Sequence, residues 1–127
     1  MAKFSWEHIH LRSPDPAATA QWYHDKLGAE VIRTPQPDGS TRIDLDLSGQ
    51  KVFIAKADPA TTGPAPQTPY MGLDHFGLTV DNIDAAVAEL KGKGVVFTME
   101  PKTIRAGVRI AFLTAPQNVS IELIQRG

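Results

Sequence analysis

Three residues of this sequence have side chains that suit a transition-metal ion. His8 and His75 each follow an acidic residue, and Glu122 lies in the largely apolar segment 119–124. Two imidazoles and one carboxylate are a recurrent ligand set for catalytic metal ions, because three protein ligands leave coordination positions for water or substrate. A carboxylate among apolar neighbours also needs a strong partner to offset its desolvation. The three residues therefore predict a site for one divalent metal ion.

Each of these residues also has a purely structural interpretation. A single strand histidine is more often a hydrogen-bonded or surface residue than a metal ligand. Glu122 equally fits a solvent-facing position, since Ser120 and Ile124 leave the alternation of polar and apolar residues ambiguous. Only the combination of all three residues favours the metal site.

Composition narrows the kind of protein that carries such a site. A chain of 127 residues can bury enough apolar surface to fold without disulfides or structural zinc, so a metal ion here is expected to be functional. Cysteine is absent, which excludes zinc fingers, iron–sulfur sites and thiol nucleophiles. The 13 basic and 14 acidic residues form no block of one sign, which argues against nucleic-acid and membrane partners. No segment reads as a signal peptide or membrane span, so a cytoplasmic location is predicted.

The first half of the chain predicts a strand, a helix and three further strands. Segment 6–12 alternates polar with apolar residues, which predicts a strand with His8 and His10 on one face. Asp15 is suited to cap a helix with Pro16 at its first position, and Gly28 to end that helix after about Leu27. The following strands are predicted at 30–33, 41–47 and 51–56.

The second half repeats this order after a linker. Segment 57–72 holds four prolines and two glycines and has neither helical nor strand periodicity. A strand at 74–80 and a helix capped by Asn82 follow, and three more strands are predicted at 95–99, 108–114 and 119–125.

Residue matches support an internal repeat. Residues 7–11 and 74–78 match in their acidic, histidine, apolar and leucine positions at a separation of 67, which also aligns Ala18 with Ala85 and Ile43 with Ile110. The sequence thus predicts an α+β fold of two tandem βαβββ modules, about 4–56 and 73–126, within a single domain 1–127. A pseudo-twofold relation between the modules would bring their first strands together, and with them His8 and His75.

Four short motifs carry a resemblance to a known family. These are His8 to Leu11, Trp22-Tyr23 through Leu27-Gly28, Leu73-Asp74-His75, and Asn118 through Leu123. The pattern resembles the vicinal oxygen chelate superfamily, which includes glyoxalase I, methylmalonyl-CoA epimerase, extradiol dioxygenases, and fosfomycin and bleomycin resistance proteins. The resemblance implies a cupped mixed β-sheet, His8, His75 and Glu122 as the metal ligands, and a homodimer.

One departure from the family pattern bears on the reaction. Glyoxalase I and the epimerases usually have a fourth ligand, Glu or Gln, in the last strand of the first module. Segment 51–56 offers no such ligand, and Ile54 is its best match to the position of Glu122. The resemblance is therefore closer to the extradiol dioxygenases and fosfomycin resistance enzymes, which use a three-ligand set.

Several other residues are candidates for contact with a substrate. His10 shares a strand face with His8 and fits a general base or hydrogen-bond partner, although a structural histidine fits as well. Arg105 and Arg109 suit the binding of a carboxylate or phosphate, and Tyr70 suits the mouth of a pocket, while exposure at the surface is the ordinary alternative for all three.

The favoured function is a metal-dependent enzyme that chelates vicinal oxygens of a small-molecule substrate on the ion. The reaction would be that of a lyase or isomerase working through an enediolate, with Glu122 and His10 in catalytic roles, or that of an Fe(II) extradiol-type oxygenase. The ligand types accept Fe, Zn, Ni and Mn alike. The alternative is a drug- or metabolite-binding protein of the bleomycin-resistance type.

Overall fold

The computed structural model describes residues 2–127, which divide into two compact units. Unit 1 ends at Gly63, and unit 2 comprises Pro64–Gly127. Each unit has the element order βαβββ, so the predicted pair of modules is confirmed. That the two units form a single domain stays a prediction.

Unit 1 is a four-stranded mixed sheet with one helix. Its elements are β1 (Ile9–Ser13), α1 (Pro16–Leu27), β2 (Glu30–Pro35), β3 (Thr41–Leu47) and β4 (Gln50–Lys56), and the strand order is β1-β4-β3-β2. β1 pairs with β4 in parallel, whereas the other neighbours are antiparallel.

Unit 2 repeats this arrangement. Its elements are β5 (His75–Thr79), α2 (Ile83–Gly92), β6 (Val96–Arg105), β7 (Val108–Ala115) and β8 (Val119–Arg126), with a single 3-10 turn at Pro116–Asn118 and the strand order β5-β8-β7-β6. β6 runs beyond the predicted 95–99, and its register against β7 shifts three times. Such bulges disturb the alternation by which a strand is recognised in a sequence.

Local capping chemistry sets the helix boundaries. The Asp15 side chain accepts a hydrogen bond from the Ala18 amide at 3.1 Å, and that of Asn82 accepts one from Ala85 at 3.0 Å. Both contacts satisfy amide groups that have no partner inside the helix. Gly28 ends α1 with φ of 73°, a left-handed conformation that favours glycine. The predicted caps are confirmed.

Each helix covers one face of its own sheet. Tyr23 of α1 is fully buried together with Leu45 and Val52 of the sheet, and in unit 2 Ile83 of α2 is fully buried with Ile121. Because side chains alternate between the two faces of a strand, the residues between these core positions lie on the face away from the helix. That opposite face carries the candidate ligands.

The alignment of Ile43 with Ile110 is wrong. Ile43 pairs with Ile54, whereas the residue of β7 at the same place in the ladder of unit 2 is Ala111. One extra residue precedes β7, so the separation between equivalent residues grows from 67 at the first strands to 68 at Leu45 and Leu113. Among residues 2–127, no helix is long and apolar enough to cross a membrane.

Candidate metal centre

His75 and Glu122 lie side by side on the sheet of unit 2. β5 and β8 pair in parallel, with His75 opposite Ser120 and Gly77 opposite Glu122, so both side chains lie on the face away from α2. His75 Nε2 is 3.7 Å from Glu122 Oε1, and the two side chains are 32% and 21% exposed. Atoms that share one ion at about 2.0–2.2 Å can be at most about 4.4 Å apart. This histidine–glutamate pair therefore fits two ligands of one metal ion.

Gly77 leaves the space that the Glu122 carboxylate occupies. A Cβ atom at position 77 would lie 3.5 Å from Glu122 Oε1, so any side chain beyond a methyl group would compete with the carboxylate. His10 is the counterpart of Gly77 in unit 1, at the repeat separation of 67. At this strand position, unit 2 has no side chain and the Glu122 carboxylate occupies the space, whereas unit 1 has the imidazole of His10.

Asp74 fixes the orientation of the His75 ring. Its Oδ2 is 2.9 Å from His75 Nδ1, and because an ionised carboxylate only accepts hydrogen bonds, Nδ1 is the donor. Asp74 Oδ1 accepts further hydrogen bonds from the Thr68 hydroxyl at 2.5 Å and the Tyr70 amide at 3.3 Å. The Thr68 hydrogen bond, followed by that of His75, lowers the pKa of Asp74. The carboxylate stays charged, and Nε2 is left to face Glu122.

An Asp74→Asn variant is expected to bind metal about 10- to 100-fold more weakly, because the partners that orient ligating histidines contribute about that much to affinity. The measurement is a competition titration against a chromophoric chelator, with thermal melting to confirm folding. Asp84→Asn is the matched control, since Asp84 is an exposed carboxylate that pairs with Arg109. Equal affinity of the Asp74 variant and the control would contradict this role.

His8 lies immediately before β1 in unit 1 and contacts an aromatic ring. Its imidazole stacks on Phe53 with ring centroids 4.1 Å apart and an interplanar angle of 27°. The Arg42 guanidinium carbon lies 4.5 Å from the Phe53 centroid, and Arg42 Nε donates to Asp44 Oδ2 at 2.8 Å. Glu7 Oε1 is 3.7 Å from His8 Nδ1, so both repeat histidines have an acidic neighbour on the Nδ1 side.

Phe53, and not Ile54, is the counterpart of Glu122. His10 pairs with Phe53 in unit 1 just as Gly77 pairs with Glu122 in unit 2. The connection from β7 to β8 has one residue more than that from β3 to β4, which shifts the separation to 69 at this strand. The identification of Ile54 is therefore corrected. Position 53 carries no ligand atom either, so the predicted lack of a fourth ligand is unchanged.

His10 lines a pocket of unit 1. Its ring centroid is 6.2 Å from that of His8, and the pocket of about 590 Å³ is also lined by Arg42, Asp44 and Phe53. Partial burial, followed by the positive charge of Arg12, lowers the pKa of His10. A cavity of this volume is typical of small-molecule sites.

The three residues predicted to bind substrate lie in different surroundings. Arg109 Nη1 donates to Asp84 Oδ2 at 2.7 Å. On β7, Arg109 is three residues from Phe112, which is the cross-strand partner of Glu122. Arg109 is thus on the opposite face of the sheet from Glu122. Arg105 is exposed at the end of β6, while Tyr70 is 39% exposed and contacts Asp74 through its amide.

The described residues bring part of the predicted site together. Residues 2–127 contain no group of three or more His, Asp or Glu side chains that lie close enough to hold one ion. His75 and Glu122 lie together in unit 2, and His8 belongs to unit 1.

Two kinds of contact that orient the histidines were not predicted from the sequence. The acidic residue before each histidine indicates the repeat, but its contact with the ring nitrogen is seen only in the structure. The contact of Phe53 with His8 depends on a strand register that the composition of 51–56 does not reveal.

Comparison with known proteins identifies the family. The sequence profile of the Glyoxalase/Bleomycin resistance protein/Dioxygenase superfamily matches residues 5–123, and the chain belongs to this superfamily. It is 32% identical over 130 residues to the uncharacterized protein YwkD of Bacillus subtilis (strain 168), covering 96% of this chain and 97% of that protein.

Two further similarities concern a named enzyme and a solved structure. The chain is 37% identical over 123 residues to a probable chloroplastic lactoylglutathione lyase of Arabidopsis thaliana, covering 94% of this chain but 35% of that protein. The fold is similar to the crystal structure of a glyoxalase family protein from Enterococcus faecalis, with a TM-score of 0.75, 25% identity and coverage of 95% and 97%. These similarities agree with the predicted resemblance to the vicinal oxygen chelate superfamily.

Proposed function

We propose that this protein is a metal-dependent enzyme that binds vicinal oxygens of a small substrate on one divalent ion held by His8, His75 and Glu122. The observation that carries the proposal is the histidine–glutamate pair, whose facing atoms are 3.7 Å apart on one sheet face. Asp74 supports it by holding His75 with Nε2 toward the carboxylate. His8 is the third ligand because it occupies the position of His75 in the repeat.

The residues of the chain have distinct roles in this proposal. When bound, the ion acts as a Lewis acid that stabilises negative charge developing on the substrate oxygens. Asp74 and Phe53 orient the two histidines, and the unit 1 pocket holds the remainder of the substrate. His10 accepts or delivers a proton at a substrate atom. These roles suit a lyase, an isomerase or an oxygenase acting on a small diol or hydroxycarbonyl compound.

Metal analysis tests the proposal most directly. Protein purified anaerobically is expected to carry one divalent ion per ligand set, or to take one up from Fe, Zn, Ni or Mn with micromolar or tighter affinity. Iron would indicate oxygenase chemistry, whereas zinc or nickel would indicate a lyase or isomerase. If the protein binds none of these four metals but binds a small molecule tightly, the alternative of a binding or resistance protein would be favoured.

Turnover of the hemithioacetal of methylglyoxal and glutathione is expected to be weak or absent. The position that corresponds to Glu122 in unit 1 is Phe53, which offers no fourth ligand atom. The assay compares this protein, loaded with each of Zn and Ni, with a glyoxalase I at equal metal occupancy. Comparable rates would show that three protein ligands suffice for this reaction.

Self-association is part of the proposal. Large apolar side chains precede both repeat histidines and are exposed: Phe4 by 94% and Trp6 by 75% before His8, and Met71 by 99% and Leu73 by 75% before His75. Exposed apolar surface, where it is contiguous, is typical of contacts between proteins. A homodimer that covers these segments, located in the cytoplasm, is proposed, and light scattering during size-exclusion chromatography tests the dimer.

A further inference from the structure

Unit 1 contains an arginine whose guanidinium is held in place by two neighbours. The guanidinium carbon of Arg42 lies 4.5 Å from the centroid of the Phe53 ring, and Arg42 Nε donates to Asp44 Oδ2 at 2.8 Å. A half-exposed arginine ordinarily samples many rotamers and loses this freedom when it binds a ligand. Because the ring and the carboxylate already fix Arg42, a ligand would bind it at a smaller cost in conformational entropy.

The terminal nitrogens of this guanidinium remain as donors. Nε is used by Asp44, but an arginine side chain also carries N–H groups at Nη1 and Nη2. Within residues 2–127, these two nitrogens of Arg42 have no hydrogen-bond partner. A fork of this kind matches the two oxygens of a carboxylate, which it binds through parallel hydrogen bonds.

The charges around Arg42 favour an anionic ligand. Arg42 lines the unit 1 pocket of about 590 Å³, together with two carboxylates and Lys56. Both carboxylates already have partners, since Asp44 accepts from Arg42 and Asp15 caps α1. The Nη groups and the ammonium of Lys56 are therefore left for a ligand that brings negative charge.

The arginines that the sequence suggested for an anion lie elsewhere. Arg109 donates to Asp84, and Arg105 is exposed at the end of β6. Both belong to unit 2, and neither lines the unit 1 pocket. Of these three arginines, Arg42 alone lies in the pocket that also contains His10.

We propose that Arg42 binds a carboxylate in the unit 1 pocket and that the substrate is a short carboxylic acid. The carboxylate site follows from unit 1 alone, whereas its use for the substrate rests on the proposed function. The ring centre of His8 is 4.1 Å and the guanidinium carbon of Arg42 is 4.5 Å from the same Phe53 centroid. The two cannot be farther apart than the sum of these distances, so few carbon atoms separate the carboxylate of the acid from the oxygens bound to the ion.

The carboxylate site can be tested on metal-free protein with butanoate as the probe. In an NMR titration at constant ionic strength, butanoate is expected to shift the signals of Arg42 and of its neighbours on β3, with a dissociation constant in the millimolar range. Butanamide has a similar shape without the charge and should bind at least about tenfold more weakly, since hydrogen bonds to charged groups are the stronger ones. Inorganic phosphate should also bind more weakly, because Asp44 offsets part of the charge of Arg42.

Variants of Arg42 test the contribution of its fork. Arg42→Gln removes the charge and is expected to weaken butanoate binding by about 10-fold or more. Arg42→Lys keeps the charge without the fork and should recover only part of this affinity. Arg33→Gln is the matched control, since Arg33 is exposed on β2 and does not line this pocket. Melting curves check that each variant is folded, and Arg42→Lys replaces Arg42→Gln if the latter is not.

The possible outcomes separate this inference from the proposed function. The carboxylate site would be overturned by equal binding of butanoate to wild type and Arg42→Gln, by equal binding of butanoate and butanamide, or by no binding of butanoate. Phosphate that binds as tightly as butanoate would overturn the assignment to a carboxylate. A protein that binds butanoate through Arg42 but none of the four metals would refute the proposed function and leave the carboxylate site intact.

Discussion

The His75→Ala variant is expected to lose its metal ion and all measurable activity. In the proposed metal centre His75 is one of three ligands, and its partner Glu122 lies 3.7 Å away, so the substitution would leave one proposed ligand in unit 2 and one in unit 1. Two ligands do not bind a divalent ion tightly, because sites of this kind use three protein ligands. The substitution also removes the hydrogen-bond partner of Asp74 Oδ2. Metal content after dialysis against a weak chelator is the measurement.

His24→Ala provides the matched control for this variant. His24 lies in the last turn of α1, and its Nδ1 is 2.9 Å from the Ala29 carbonyl oxygen, within hydrogen-bond distance. Its loss is expected to lower stability slightly while leaving metal content at the wild-type level. Normal metal content in His75→Ala would remove the basis of the proposed metal centre, whichever value the control gives.

The fold was predictable because local signals agree with the packing. Asp15 and Asn82 are strong helix caps, and both cap a helix in the structure. Apolar residues such as Leu45 and Val52 alternate with polar ones, which marks the sheet face that α1 covers. The length of β6 was underestimated because its register shifts break the alternation of polar and apolar residues by which a strand is recognised in a sequence.

The register between repeats was less predictable than the repeats themselves. A single extra residue in the β7–β8 connection changes which residue of β4 corresponds to Glu122. Turn length is a weak signal in a sequence, yet a shift of one residue moves every side chain to the other face of its sheet. The sequence therefore favours Ile54 at the position that the structure assigns to Phe53.

Contacts that depend on loop conformation were not predictable either. The Thr68 hydroxyl reaches Asp74 from within the linker, a segment without periodicity. The pairing of His75 with Glu122, by contrast, follows from two strands whose residue types were recognised in advance. Candidate ligands on regular strands were thus predictable from the sequence, whereas the groups that orient them were not.

Replacement of His10 and of Glu122 by alanine is expected to separate proton transfer from metal binding. Glu122→Ala removes the proposed anionic ligand, so metal affinity and turnover should fall together. His10→Ala leaves His8, His75 and Glu122 intact, so metal content should stay near the wild-type level. Turnover should nevertheless fall by about 10²- to 10⁴-fold, the usual contribution of a general base.

The structure gives a physical reason to expect this separation. His10 is on the strand that follows His8 and lines the unit 1 pocket with Phe53 and Arg42, where it would meet a substrate. Glu122 instead faces His75 Nε2 across 3.7 Å. Metal content and initial rate, measured on both variants once a substrate is found, decide between the roles. An unchanged rate in His10→Ala would return His10 to a structural role. Metal lost from that variant but retained in Glu122→Ala would move the ligand set to β1, and the ligand assignment at β8 would then be wrong.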